Sequence, residues 1–311
     1  MRVVHWDDVE PRDRDVGPMA GRWRALGAAA GSVDVGLNRI EVPEGRLSTP
    51  VHTHRGEEEI FFVLGGSGLL WQDGVTCELA PGDVVVHAAG GPAHTLIGGA
   101  GGLDVLAFGP RLGPETAYLP RAGVAFLGGR GVAVDALHPW QREAEHGLPE
   151  GEPGERPANV VRVDAVEGDF GGRWKRLGRA AGAARTGLSW AELPAGDEGA
   201  APHCHSAEEE LYVILDGEGT LELWGRPRPG DPFQTEPEET QPLRPGHVVA
   251  RPPGTGVPVC VRAGAGPLTY LAYGTRDPGD ICYYPRSNTV FLRGIGLLAR
   301  LEPLAPGDGE P

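Results

Sequence analysis

Residues 51–66 read VHTHRGEEEIFFVLGG, and residues 202–217 read PHCHSAEEELYVILDG. Each stretch sets two histidines one residue apart, then three glutamates, then an apolar run. A single copy is compatible with a metal site or with an acidic turn beside a buried strand. Two copies favour chemistry. In an extended strand, side chains two residues apart leave the same face, so His52 and His54 aim two imidazoles at one point while Thr53 turns away. Glu59 and Glu210 are the favoured carboxylates, because each has glycine seven residues later, at Gly66 and Gly217, a spacing that Glu209 lacks. Glu57, Glu58, Glu208 and Glu209 are then expected as turn or solvent-facing acids.

The similarity extends well beyond these stretches. GRWRALGAAAG at Gly21 returns as GRWKRLGRAAG at Gly172, an offset of 151 that holds through His52/His203 and Gly74/Gly225. The second copy then carries thirteen further residues, 226–238, after which the offset is 164 at Gly82/Gly246 and 165 from Leu103/Leu268 to Phe126/Phe291. This is an internal duplication. It divides the chain into an N-terminal unit, 1–137, and a C-terminal unit, 159–311. Between them lies a polar stretch rich in Pro, Gly and Glu, 138–158, expected as a linker with His138 and His146 solvated. The insertion at 226–238 is expected as a solvated loop, with an active-site lid as the alternative.

Short β-rich runs punctuated by 50 glycines and 30 prolines argue for an all-β sandwich or barrel. With 311 residues, two domains can each bury a core. The net charge of −15 opposes attraction to nucleic acid or to an anionic membrane. No segment has the length and apolarity of a membrane span or a secretory leader, so a cytoplasmic protein is expected. Cys77, Cys204, Cys260 and Cys282 form no CxxC pair and are expected as reduced thiols without a chemical role. The single lysine, Lys175, lies far from the His/Glu cluster in sequence, which disfavours Schiff-base chemistry. His87 is expected to be hydrogen-bonded within a strand.

The first stretch resembles the leading motif of the cupin superfamily, two histidines and a glutamate closed by a glycine. GDVVVHAAGGPAH, Gly82–His94, resembles the second motif, although Ala stands where its proline is expected. The resemblance covers nearly the whole chain and implies an all-β protein of two tandem jelly-roll barrels. It implies that His52, His54, Glu59 and His94 hold a divalent transition metal in the first barrel, the ion being Mn, Fe, Ni, Co or Zn. In the second barrel His203, His205 and Glu210 match, but the histidine equivalent to His94 is replaced by Val259, or by Val257 if counted by the family spacing. That half is expected as a second metal site of weak or partial occupancy. A two-histidine, one-carboxylate set also suits non-heme iron.

Cupins include dioxygenases, decarboxylases, isomerases, sugar-binding modules and storage proteins, so the fold alone does not assign a reaction. The expectation from sequence is a metal-dependent oxygenase or decarboxylase acting on a small organic acid or phenolic compound. The alternative is a non-catalytic small-molecule-binding or sensing protein. A small-molecule ligand or substrate is the expected partner, and a homo-oligomer is compatible with either reading.

Overall fold

A computed structural model describes residues 1–111, 116–127, 130–132, 138–225 and 235–301. The expected loop at 226–238 falls mostly outside them. Two jelly-roll barrels follow one another along the chain, as the duplication requires.

In the first half, two long strands, Glu59–Gln72 and His94–Pro110, pair antiparallel from Ile60/Phe108 to Gln72/His94, with register shifts after Val63 and Gly66. In the second half the same path is broken into Glu210–Asp216 with Leu268–Thr275, and Gly219–Leu223 with Val259–Ala263. The motif glycines sit at these breaks. Gly66 and Gly217 have φ of +75° and +79°, and a Cβ on either would run into a backbone carbonyl, that of Gly102 or Pro267. Only glycine meets both demands.

The apolar runs after the glutamates lack polar alternation because both their faces are covered. Ile60 and Phe62 face the other half, as do Leu211 and Val213, and all four belong to one core shared by both barrels. Phe108 stacks on its own repeat equivalent, Tyr273, at 5.0 Å between ring centroids. Phe61, Val63 and Val85 instead fill the first barrel, and Tyr212, Ile214 and Val249 fill the second. This alternation decides which side chains reach each barrel interior.

The halves are joined in two further ways. First, they trade edge strands. Val3–His5 pairs with His247–Arg251 of the second barrel, and Val160–Arg162 pairs with Asp83–His87 of the first. VVHWDDVE at Val3 and VVRVDAVE at Val160 are themselves similar, so the exchange is reciprocal.

Second, the middle glutamates of the two EEE runs are not solvent-facing, contrary to expectation. Glu58 accepts hydrogen bonds from the backbone N–H groups of Ala184 (2.8 Å) and Thr186 (3.0 Å) and from the Thr186 hydroxyl. Glu209 accepts from those of Val33, Asp34 and Val35 at 2.5–3.0 Å. Each is buried and clamps a turn of the opposite half. Burying a carboxylate is tolerable because it accepts several strong, charge-assisted hydrogen bonds. Glu208 is also buried, against Arg293.

Residues 138–158 connect the halves but are not simply solvated. Pro139–Glu145 forms a helix capped by the His138 side chain. Its Trp140 packs with Met19 and Leu47, and its buried Glu143 pairs with Arg121 at 3.3 Å. His138 and His146 are exposed. Among the described residues no helix is long and apolar enough to cross a membrane.

Candidate metal centre

Strand alternation brings His52, His54, Glu59 and His94 together inside the first barrel. His52 and His94 bridge each other's backbone across the strands, with N···O distances of 3.1 and 2.9 Å. Val51, just before His52, donates its N–H to Glu143 at 3.3 Å, so the connecting helix helps to hold this strand in place. His52 Nε2 lies 3.1 Å from His54 Nε2, and Glu59 Oε2 lies 3.8 and 3.9 Å from them. His94 Nε2 lies 3.2 Å from the same oxygen. Donor atoms of His52, His54 and Glu59 all fall within 4.8 Å of one another, close enough to share an ion.

The hydrogen bonding shows what this cluster needs. His52 Nδ1 faces the Pro50 carbonyl at 2.9 Å, and His94 Nδ1 faces that of Pro92 at 3.1 Å. Each Nδ1 must carry a proton to satisfy its carbonyl, which leaves Nε2 of a neutral ring as an acceptor. At the contact between His94 and Glu59, an acceptor therefore points at an acceptor. Extra protons could relieve the conflict, but burial, followed by the neighbouring His94, pushes His52 down to about 3. Burial alone would raise Glu59; a proton between it and His94, and charge on His54 and His52, would outweigh burial and hold the carboxyl at about 2. Inward-facing imidazole nitrogens and a carboxylate are the donor set that a divalent transition metal takes, and the residues fit one.

His87 is expected from sequence to be hydrogen-bonded, and the structure corrects this. Its ring stacks on His94 at 3.4 Å and 2°, and neither ring nitrogen has a hydrogen-bond partner among the described residues. Burial, then the adjacent histidines, depress its pKa well below the usual value. The strand pairing sets it directly opposite Glu59.

The second barrel assembles His203, His205 and Glu210 in the same way. His203 bridges Val259, which makes Val259 the structural equivalent of His94 and removes Val257 from consideration. Other residues that sequence reasoning passed over crowd this site. Arg251 occupies the position of His87, and its guanidinium hydrogen-bonds Glu210, Tyr212 and His203. Asp280 accepts from His205 Nδ1 at 2.7 Å. Cys282, rather than Cys260, lies with its donor atom within 4.8 Å of those of His203 and His205. The offset of 164 that joins Gly82 to Gly246 also joins His87 to Arg251, and could have found that arginine.

Residues 38–98 match the cupin domain family model. Solved structures resemble the whole chain. Oxalate decarboxylase from Bacillus subtilis is 14% identical over 88% of this chain and 76% of its own, with a TM-score of 0.57. The formate complex of Lactobacillus farciminis oxalate decarboxylase is 14% identical over 88% and 86%, with a TM-score of 0.56. No curated protein matches the chain in sequence. Residues 38–98 thus match a cupin domain, the chain shares the two-barrel fold of these structures, and it carries His/Glu groups able to hold a metal.

Proposed function

We propose that this bicupin is a metal-dependent enzyme of the oxygenase or decarboxylase type, working in the first barrel on a small organic acid or phenolic compound. The observation that carries the reading is the convergence of three imidazoles and one carboxylate, two of the imidazoles with their Nδ1 protons already committed to carbonyls, so that acceptors face the centre. The site is also reachable. The His54 and Glu59 side chains retain 19% and 21% exposure, whereas His94 retains 2%. A substrate would therefore enter from the His54/Glu59 side.

His52, His54, Glu59 and His94 would hold the ion. When bound, it supplies Lewis acidity, or redox chemistry towards dioxygen. The chain's own contribution is orientation and exclusion of water. Pro50 and Pro92 fix two imidazoles through their carbonyls, while Phe61 and the stacked His87 ring close the side behind His94. Oxalate is the first substrate to try, because the two structures of this architecture named above are oxalate decarboxylases.

The test is elemental analysis of protein purified without added metal, joined to assays of CO2 release and oxygen uptake with oxalate, other small acids and catechols. The expected result is about one first-row ion in this barrel and turnover that disappears in His52→Ala/His54→Ala. Protein that binds both metal and a small acid without turnover would be a binding module. Absence of any bound ion would end the metal reading.

A further inference from the structure

We propose that Arg251 is the resident cation of the second barrel, its guanidinium taking the acceptors that a metal would otherwise use, so that this half excludes the ion its sequence motif suggests. The inference concerns the second site alone and does not depend on the function assigned to the first.

The tautomers match between the halves. His203 Nδ1 faces the Ala201 carbonyl at 2.7 Å, as His52 faces Pro50, so His203 Nε2 is an acceptor pointing inward. In the first barrel the equivalent lone pair meets the His54 ring and, farther off, the Glu59 carboxylate, with no fixed cation beside it. Here it meets Arg251 Nη1 at 3.2 Å. The Glu210 carboxylate and the Tyr212 hydroxyl share the two N–H groups of that same nitrogen with His203, and Nη2 reaches the His203 carbonyl at 2.6 Å. The guanidinium also lies over the Tyr212 ring, 5.1 Å from its centroid. A planar, permanently charged fork that satisfies several acceptors at once is what arginine offers and an ammonium does not.

Charge agrees. Burial would raise Glu210, but Arg251 outweighs it and keeps the carboxyl well below its ordinary value. Burial and then the same positive charge depress His203. A divalent ion would have to enter beside a buried cation. One donor is still free: His205 Nδ1 is held by Asp280, while its buried Nε2 has no hydrogen-bond partner among the described residues. The pocket thus retains the donor set of a metal site with an arginine inside it.

Two Co(II) titrations test this. The first uses His52→Ala/His54→Ala, in which Arg251 is intact. It should take up no ion, and stoichiometric binding there would overturn the proposal. The second uses Arg251→His, which installs the residue that the first barrel has at this position. It should gain one ion per chain over the parent, whereas Val259→His, which adds an imidazole but leaves the guanidinium in place, should gain none. A gain in Val259→His, or no gain in a folded Arg251→His, would overturn it. Should Arg251→His fail to fold, the first titration still decides. If the first barrel proves not to bind metal, the parent would bind none and Arg251→His would bind one, so the two readings fail separately.

Discussion

The two barrels place the same His-x-His and Glu on the same strands, yet surround them differently. In the first, three imidazoles and a carboxylate converge with no fixed cation among them, and the His87 ring is stacked behind them. In the second, a guanidinium sits among the acceptors, with a tyrosine hydroxyl beside it. The difference shows that a motif supplies donors but does not say what satisfies them. Three changes between the copies, His87 to Arg251, Phe61 to Tyr212 and His94 to Val259, separate a cluster without a fixed cation from one that contains its own.

Equivalent carboxylates offer the sharpest contrast. Glu59→Ala should abolish metal content and any turnover in the first barrel while leaving a folded chain, since no fixed charge depends on that residue. Glu210→Ala should leave metal content unchanged but strand Arg251 without its counter-ion, at a cost of roughly 3 kcal/mol. Metal analysis and urea unfolding of both variants check this. Equal metal loss in both would mean that the halves are functionally alike.

The interface predicts the opposite, namely symmetry. Glu58→Ala and Glu209→Ala each leave backbone N–H groups buried without an acceptor. Each should lower stability by about 2–3 kcal/mol, to similar extents, as read from chemical unfolding. A large disparity would show that the reciprocal clamps are unequal in strength.

Acid should act on the metal-free protein through the buried histidines of both barrels, His52 and His87 in the first and His203 in the second. His52 titrates at about 3, and His87 well below its ordinary value, when folded, whereas both take up protons near 6.5 when unfolded. Below pH 6.5 the unfolded state binds more protons, so stability should fall as pH drops from 6.5 towards 3. Each buried histidine contributes at most about 1.4 kcal/mol per pH unit. The equivalent of His87 in the second barrel is an arginine, charged in both states, and adds no such slope. A flat apo-protein stability profile across this range would refute the assignment of neutral buried histidines.

The smallest effect is expected for His87→Phe. The ring stack is kept and two unpartnered nitrogens are removed, so stability at pH 8 should change by less than about 1 kcal/mol and metal content should hold. The acid slope should become gentler. Loss of metal would instead make His87 a ligand.

Much of this was legible in the sequence. Alternation points His52 and His54 to one side, and the duplication removes the ambiguity among the glutamates because Gly217 stands seven residues after Glu210 and not after Glu209. The two barrels followed from the offsets. What failed was the environment of the charged residues. Glu58 and Glu209 read as solvent-facing because their partners are backbone N–H groups of the opposite half, which no side-chain pattern displays. Arg251 stands in HVVARP, where strand parity with Val249 aims it inward, but an arginine at a strand end resembles a surface residue until the partners that hold its charge are known. The helix Pro139–Glu145 was hidden by the prolines and glycines around it.

The traded edge strands change what counts as a unit. A chain cut after the first barrel would keep Val3–His5 with nothing to pair it and would leave Asp83–His87 with a bare flank, since Val160–Arg162 lies beyond the cut. Two copies of one repeat, placed about a two-fold axis, would complete each other by swapping those strands. The chain therefore has the architecture of a domain-swapped dimer made covalent. Such fusion holds the partners together at any dilution. It also lets their interiors diverge, which a homodimer encoded by one sequence could never do.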